Sequence, residues 1–182
     1  MKWSDIPGWF DYQQLYKDAV ARAKDGDVLV ELGVFYGQSA AFMAQVIKES
    51  GKKLTFYAVD LWNKTADNDH KDVNEDIFQA FWHNMNLCGI SEFITPLQMS
   101  TAEAASHFAE KGIALDFVFI DANHTYPYVK ADIENYLPLM KPGAVLAGHD
   151  IYFDSVKKAV MEVIPRAEIL PSCFLYRVPS VA

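Results

Sequence analysis

No lysine or arginine run, no long apolar run and no closely spaced cysteine pair stands anywhere in this chain of 182 residues. Each gap excludes something. The formal net charge is −8, spread along the chain, so a nucleic-acid backbone would be repelled while a cationic ligand would be drawn in. No apolar stretch approaches the roughly 20 residues that a membrane-spanning helix needs. The opening "MKWSDIPGWFDYQQL" carries Lys2 but lacks the apolar core of a signal peptide, so a soluble, cytoplasmic protein is expected. Cys88 and Cys173 lie far apart and match neither a zinc spacing nor a redox pair, which predicts reduced thiols. Loops that grip phosphate are missing as well. Neither G-x-G-x-x-G nor G-x-x-x-x-G-K-[ST] occurs.

What is present is apolar and regularly punctuated. Half the residues are apolar, which rules out disorder, and the length suits one domain over residues 1–182. "FDYQQLYKDAVARAK" has helical spacing, and "DVLVELG" is a continuous apolar run typical of a strand covered on both faces. The helix "GQSAAFMAQVIKES", the strand "LTFYAVD" and a helix around "EDIFQAFWHNMNLC" follow. "FITPLQ" reads as a strand that Pro96 confines to an edge. Next come the helix "TAEAASHFAEK", the strand "LDFVFID", the helix "PYVKADIENYLPLM", the strand "GAVLAGHD" and the helix "SVKKAVMEVI". The hairpin "AEILPSCFLYRV" closes the chain. Such alternation predicts an α/β fold of the Rossmann-like, doubly wound kind, with a mostly parallel sheet, helices on both faces and one antiparallel strand.

In such a sheet, ligands bind beyond the carboxyl ends of the strands. Glu31, Asp60, Asp121 and Asp150 each stand where a predicted strand stops, so all four are expected on one rim. The turn in "VLVELGVFYGQSA" places Val34 and Phe35 between Gly33 and Gly37, too bulky to cradle a diphosphate. It suits a nucleoside that ends in a small zwitterion. Gly33 would let a ligand pass close to the backbone, and amides near Gly37 to Ser39 would take a carboxylate. Glu31 would balance an ammonium or sulfonium, and Asp60 would accept bonds from ribose hydroxyls. S-adenosylmethionine has these groups in this order.

The residues "VLVELGVFYGQSA", "FYAVDLW" and "LDFVFIDANHTYPYVKADIENYLPLMKPGAVLAGHD" resemble a class I S-adenosylmethionine-dependent methyltransferase over nearly the whole chain. The last block is similar to small O-methyltransferases grouped with macrolide-sugar methyltransferases and cephalosporin-hydroxylase-like proteins. The resemblance implies seven strands with the last antiparallel. It also implies that Glu31, Gly33, Tyr36, Gly37 and Ser39 surround the methionine portion and Asp60 the ribose. Leu61 and Trp62, with Met99 and Ser100, would flank the adenine. Ser100 also suits a helix cap.

Adjacent strands four and five would bring Asp121 and Asp150 together, where two carboxylates repel unless a divalent metal lies between them. His124 could then accept the proton of a metal-bound hydroxyl. The resemblance implies the same division: Asp121 as metal ligand, His124 as base, and an acidic pair after strand five. His149 stands where those relatives carry an acid. Imidazole is a poor Mg²⁺ ligand and better suited to Mn²⁺, so His149 is read as a metal ligand, a second proton acceptor or a pocket wall. His70, His83 and His107 have no partner motif. Tyr126 and Tyr128 could contact the acceptor, but are read first as packing over the sheet end. The polar segment 63–74 is read as a lid. That segment, the N-terminal residues or the second subunit of a homodimer would recognise a small hydroxylated acceptor. The expectation is an O-methyltransferase. A nicotinamide-dependent oxidoreductase and a non-catalytic cofactor-binding module are the alternatives.

Overall fold

The computed structural model describes residues 1–62 and 76–180. A short 3-10 turn at Trp3–Asp5 leads to helix α1 (Gln13–Arg22), strand β1 (Val28–Leu32), helix α2 (Gln38–Ser50) and strand β2 (Thr55–Asp60). Helix α3 (Ile77–Leu87), strand β3 (Thr95–Gln98), helix α4 (Thr101–Lys111) and strand β4 (Leu115–Ile120) come next. Helix α5 (Tyr126–Tyr136), strand β5 (Met140–Gly148) and helix α6 (Asp154–Val163) precede the hairpin of β6 (Glu168–Ile169) and β7 (Phe174–Arg177).

The strand order is β3-β2-β1-β4-β5-β7-β6. Strands β1 to β5 pair in parallel, and β7 runs antiparallel to both β5 and β6. Pro96 puts β3 at the edge, as expected, because its missing N–H would break a central ladder. From β1 the chain steps outward to β2 and β3, then returns to lay β4 against the other side of β1. The crevice beyond β1 and β4 is therefore the switch point, where such sheets bind ligands.

Alternation along β1 divides the core. Leu29 packs with Phe117 and Phe119 against α1, α2 and α3, whereas Val30 and Leu32 pack with Val118 and Ile120 against α4, α5 and α6. Each large side chain buried in these layers stabilises the fold by about 1.5–3 kcal/mol. Helix α4 starts in a capping box: Glu103 N donates to Ser100 Oγ at 3.2 Å and Ser100 N to Glu103 Oε2 at 2.9 Å.

Two boundaries depart from expectation. Helix α5 ends at Tyr136 and a 3-10 turn covers Leu137–Leu139, because Pro138 cannot continue the α-helical ladder. Strand β5 starts three residues early, at Met140. Its register against β4 shifts between Leu115 and Phe117, and Gly143 N bonds to Val178 O at 3.0 Å on the other side.

Candidate active site

Strands β1 and β4 end side by side, and the chain must leave both at the same point. Gly33 has φ +84°, and a Cβ there would stand 2.1 Å from the Asp121 carbonyl oxygen. The glycine is thus required by a backbone crossing. Gly33 also lies on the cleft wall, so the expected approach of a ligand to its backbone stands beside that crossing. Gly37, at φ +90°, caps α2 in a left-handed conformation, and a Cβ would meet Met85 at 2.5 Å and Phe81 at 2.7 Å. Its bareness serves packing against α3, off the wall of the cleft.

Asp60 holds this turn in shape. Its Oδ2 accepts from Val34 N at 2.7 Å and Phe35 N at 2.9 Å, and its Oδ1 accepts from Trp62 N at 2.8 Å. Trp62 Nε1 donates to Phe35 O at 2.8 Å. Phe35 and Trp62 both have positive φ, a costly state that this clamp sustains. A carboxylate offers about four lone-pair directions, so Asp60 keeps capacity for a ligand hydroxyl. Leu61, Trp62, Met99 and Ser100 also reach the cleft wall.

Glu31 does not reach the rim. Strand β1 continues to Leu32, so the side chain of Glu31 points into the layer beneath α1 and α2, fully buried. The Ser39 hydroxyl donates to it and itself lies on the cleft wall. Burial pushes the Glu31 carboxyl up to about 8, against the opposing bond from Ser39. Glu31 Oε2 and the Tyr16 hydroxyl, both buried, have no hydrogen-bond partner. Tyr36 lies off the wall too; its carbonyl accepts from Asn84 Nδ2 at 3.1 Å.

Beside the turn that Asp60 holds, β4 and β5 pair in register and deliver Asp121, His149 and Asp150 together. His149 N donates to Ile120 O at 3.0 Å, and Asp150 has φ +57°, turning the chain out of the sheet. His124 Nε2 stands 2.8 Å from Asp150 Oδ2 and 3.6 Å from Asp121 Oδ1. The short contact is an ion pair that falls outside hydrogen-bond alignment. His149 Nδ1 lies 3.4 Å from Asp150 Oδ1 and 3.6 Å from Asp121 Oδ1, while its Nε2 is 3.0 Å from Asp11 Oδ1. Tyr12 donates its phenol to Asp121 Oδ2 at 2.9 Å.

The charges in this group sustain one another. Asp121 and Asp150 raise His124 to about 10. Burial would lower His149, but the same carboxylates overcome it and hold that ring at about 10. Burial opposes ionisation of both acids, yet His124 and His149 keep Asp121 below the usual carboxylate range and Asp150 far below it. As the side chains stand, the two carboxylates favour the charged form of His124.

Asp121, His124 and Asp150 offer ligand atoms within 4.8 Å of one another. Two carboxylate oxygens and an imidazole nitrogen fit a divalent cation of the Mn²⁺ or Mg²⁺ kind. His124 thus joins the carboxylates, where sequence reasoning had put His149.

All these groups face one cleft of about 820 Å³, a size suited to a cofactor and a small co-substrate. Three neighbours were not foreseen: Asp11, Tyr12 and Asp132. Asp132 is buried on the cleft wall, and burial pushes its carboxyl up to about 6 against a bond from Thr101. Tyr128 does not pack over the sheet end. It is 60% exposed at the cleft, and Tyr126 instead donates to Glu162 Oε2 at 2.6 Å. His83 and His107 lie on α3 and α4, off the cleft wall. His70 and the lid segment fall outside the described residues. Cys88 and Cys173 are free thiols, and no helix among the described residues is long and apolar enough to cross a membrane.

Residues 30–151 match a family described as "Methyltransferase domain". A curated relative, "Uncharacterized protein y4gI" of Sinorhizobium fredii (strain NBRC 101917 / NGR234), is 29% identical over 123 residues. The match covers 67% of this chain and only 13% of that protein. Among solved structures, an O-methyltransferase from Bacillus cereus in complex with SAH superposes with a TM-score of 0.65 at 15% identity, covering 96% of this chain and 85% of that one. CalS11, a calicheamicin methyltransferase, gives 0.64 at 15% identity, covering 90% and 76%. Cofactor-bound Rv0187 from MTB gives 0.69 at 16% identity, covering 98% and 85%. At such identities the likeness to the solved structures is one of fold.

Proposed function

Since the chain belongs to the methyltransferase domain family, we propose that it moves a methyl group from S-adenosylmethionine to a hydroxyl of a sugar or other small metabolite. Residues 1–182 act as one catalytic unit in a reducing cytoplasm, which agrees with two free thiols. The observation that carries this reading is the layout of one cleft. The turn clamped by Asp60 and the Asp121, His124 and Asp150 group both line it.

In this reading the first amides of α2 donate to the methionine carboxylate and the Ser39 hydroxyl oxygen accepts from the ammonium, with Glu31 behind Ser39 rather than against the ligand. Asp60 gives its remaining acceptor capacity to the ribose. Leu61, Trp62, Met99 and Ser100 enclose the adenine. Transfer needs the acceptor oxygen in line with the methyl and sulfur, so most of the rate gain comes from positioning. The methyl leaves sulfur with its bonding pair left behind on a neutral thioether, and the new C–O bond forms as the hydroxyl proton departs.

A divalent cation at Asp121 and Asp150 would make an acceptor hydroxyl more acidic. His124 would be a third ligand to that cation or, left off it, a neutral imidazole able to accept the hydroxyl proton. His149, tied to Asp11, orients the two carboxylates.

Titration calorimetry tests the cofactor assignment. S-adenosylhomocysteine binds the wild type, and Asp60→Ala weakens it at least about tenfold by freeing three backbone donors. Binding of NAD in place of S-adenosylhomocysteine overturns the reading in favour of hydride transfer.

A further inference from the structure

Among the described residues, eight large apolar side chains are strongly exposed, and four of them line this one cleft: Trp9, Tyr128, Tyr152 and Phe153. Exposed aromatic surface gathered in a concave site marks a place where something packs. Tyr152 and Phe153 follow the left-handed turn at Asp150, which throws both outward, and their ring centroids are 4.8 Å apart. The Phe153 ring is 5.7 Å from the His124 imidazole, and the Tyr152 ring is 6.4 Å from that of His149. These rings, 44% and 61% exposed, border the acid and histidine group directly. Neither ring is needed for the core, because Ile151 between them and Asp150 is the buried residue of that turn.

Charge narrows the ligand. Among the described residues no lysine or arginine lines the cleft, whereas Asp60, Asp121, Asp132 and Asp150 do, against His124 and His149. Among the described residues, the groups that could answer a phosphate or a carboxylate are His124 and His149, and Asp121 and Asp150 already pair with both. Aromatic faces beside acids welcome a neutral ring and, more so, a cationic one.

We propose that Tyr152 and Phe153, with Tyr128 across the cleft, form an acceptor subsite for a hydroxylated ring that carries no negative charge. The ring packs against the two aromatic side chains, which aims a hydroxyl at Asp121, His124 and Asp150. Acceptors joined to a nucleoside diphosphate, or bearing a carboxylate, are turned away. This inference rests on the methyltransferase reading, because it takes the rest of the cleft to be filled by the cofactor.

Saturation-transfer NMR on protein loaded with S-adenosylhomocysteine tests it with matched probes. One series is 4-methylcatechol, dopamine and 3,4-dihydroxybenzoate; the other is methyl glucoside, glucosamine and glucuronate. In at least one series the neutral and cationic members bind at least about tenfold more tightly than the carboxylate, and the series that binds says whether the ring is an arene or a sugar. Tyr152→Ala with Phe153→Ala weakens those probes about tenfold or more. Cofactor affinity, measured on the same samples, stays within about twofold and shows that the variant is folded. Preference for the carboxylate, unchanged probe binding in the variant, or no binding by either series overturns the inference. Failure of the cofactor itself to bind would instead count against the methyltransferase reading.

Discussion

Replacing Gly33 by alanine puts a methyl group 2.1 Å from the Asp121 carbonyl oxygen, 2.5 Å from its carbon and 2.7 Å from Ala122 Cα. Two costs add. A non-glycine residue in the left-handed region loses about 1–2 kcal/mol. Relieving the overlap requires the ends of β1 and β4 to part by more than about 1 Å, and overpacking of that kind costs about 1–3 kcal/mol. The bond from Asp121 N to Leu32 O, 2.7 Å long, lies at the same crossing. A total of about 2–5 kcal/mol lowers the melting temperature of a chain this size by about 4–20 °C. Gly26→Ala is the control. Gly26 has φ +91° with nothing within 4 Å of a Cβ, so only the backbone cost applies, about 2–8 °C. Thermal melts by circular dichroism, paired with calorimetry of S-adenosylhomocysteine, separate the two. If Gly33→Ala melts no lower than Gly26→Ala yet loses the cofactor, the glycine makes room for a ligand after all. The crossing argument is then wrong.

Glu31 offers a test in pH. Its folded carboxyl titrates at about 8, above its ordinary 4.5, so the proton favours the folded state. That stability is fully present below about pH 4.5 and is lost as pH rises through 8. Glu31→Gln, which keeps an acceptor for Ser39, should therefore match the wild type near pH 5 and exceed it near pH 9 by roughly 3–5 kcal/mol. Melting curves whose difference does not change with pH would refute the buried, protonated state. Tyr12→Phe removes the phenol that donates to Asp121 and should cost about 1.5–3 kcal/mol, the range for bonds to charged groups. Urea titration monitored by tryptophan fluorescence measures this, and a change under about 0.5 kcal/mol would deny the bond a role.

The sheet was readable because its strands are apolar, short and separated by helical periods, and Pro96 announced an edge. The limits of that reading have physical causes. A strand covered on both faces shows no alternation, so nothing in "VLVEL" told that Glu31 points beneath α1 and α2 while Leu32 faces the other layer. Gly33 was correctly placed at the turn, but nothing local showed that atoms of Asp121, 88 residues on, also require a glycine there. Asp132 was findable. Val129, Ile133 and Tyr136 form the buried stripe of α5, and an acid among them signals a site wall. Asp11 and Tyr12 carried no local signal. Their partners lie 138 and 109 residues away, and no periodicity spans such distances.

Those separations bear on how the molecule comes into being. A ribosome adding about 5–20 residues per second releases Asp11 roughly 7–30 s before His149 exists to meet it. Ser172, which donates to the same Asp11 oxygen at 3.0 Å, arrives later still. Phe119 of β4 arrives in between and comes to rest 4.4 Å from Tyr12. A nascent chain halted before the fifth strand would thus hold a half-built crevice whose acids face no imidazole from His149, and it would have to wait for the last third of translation to become chemically competent.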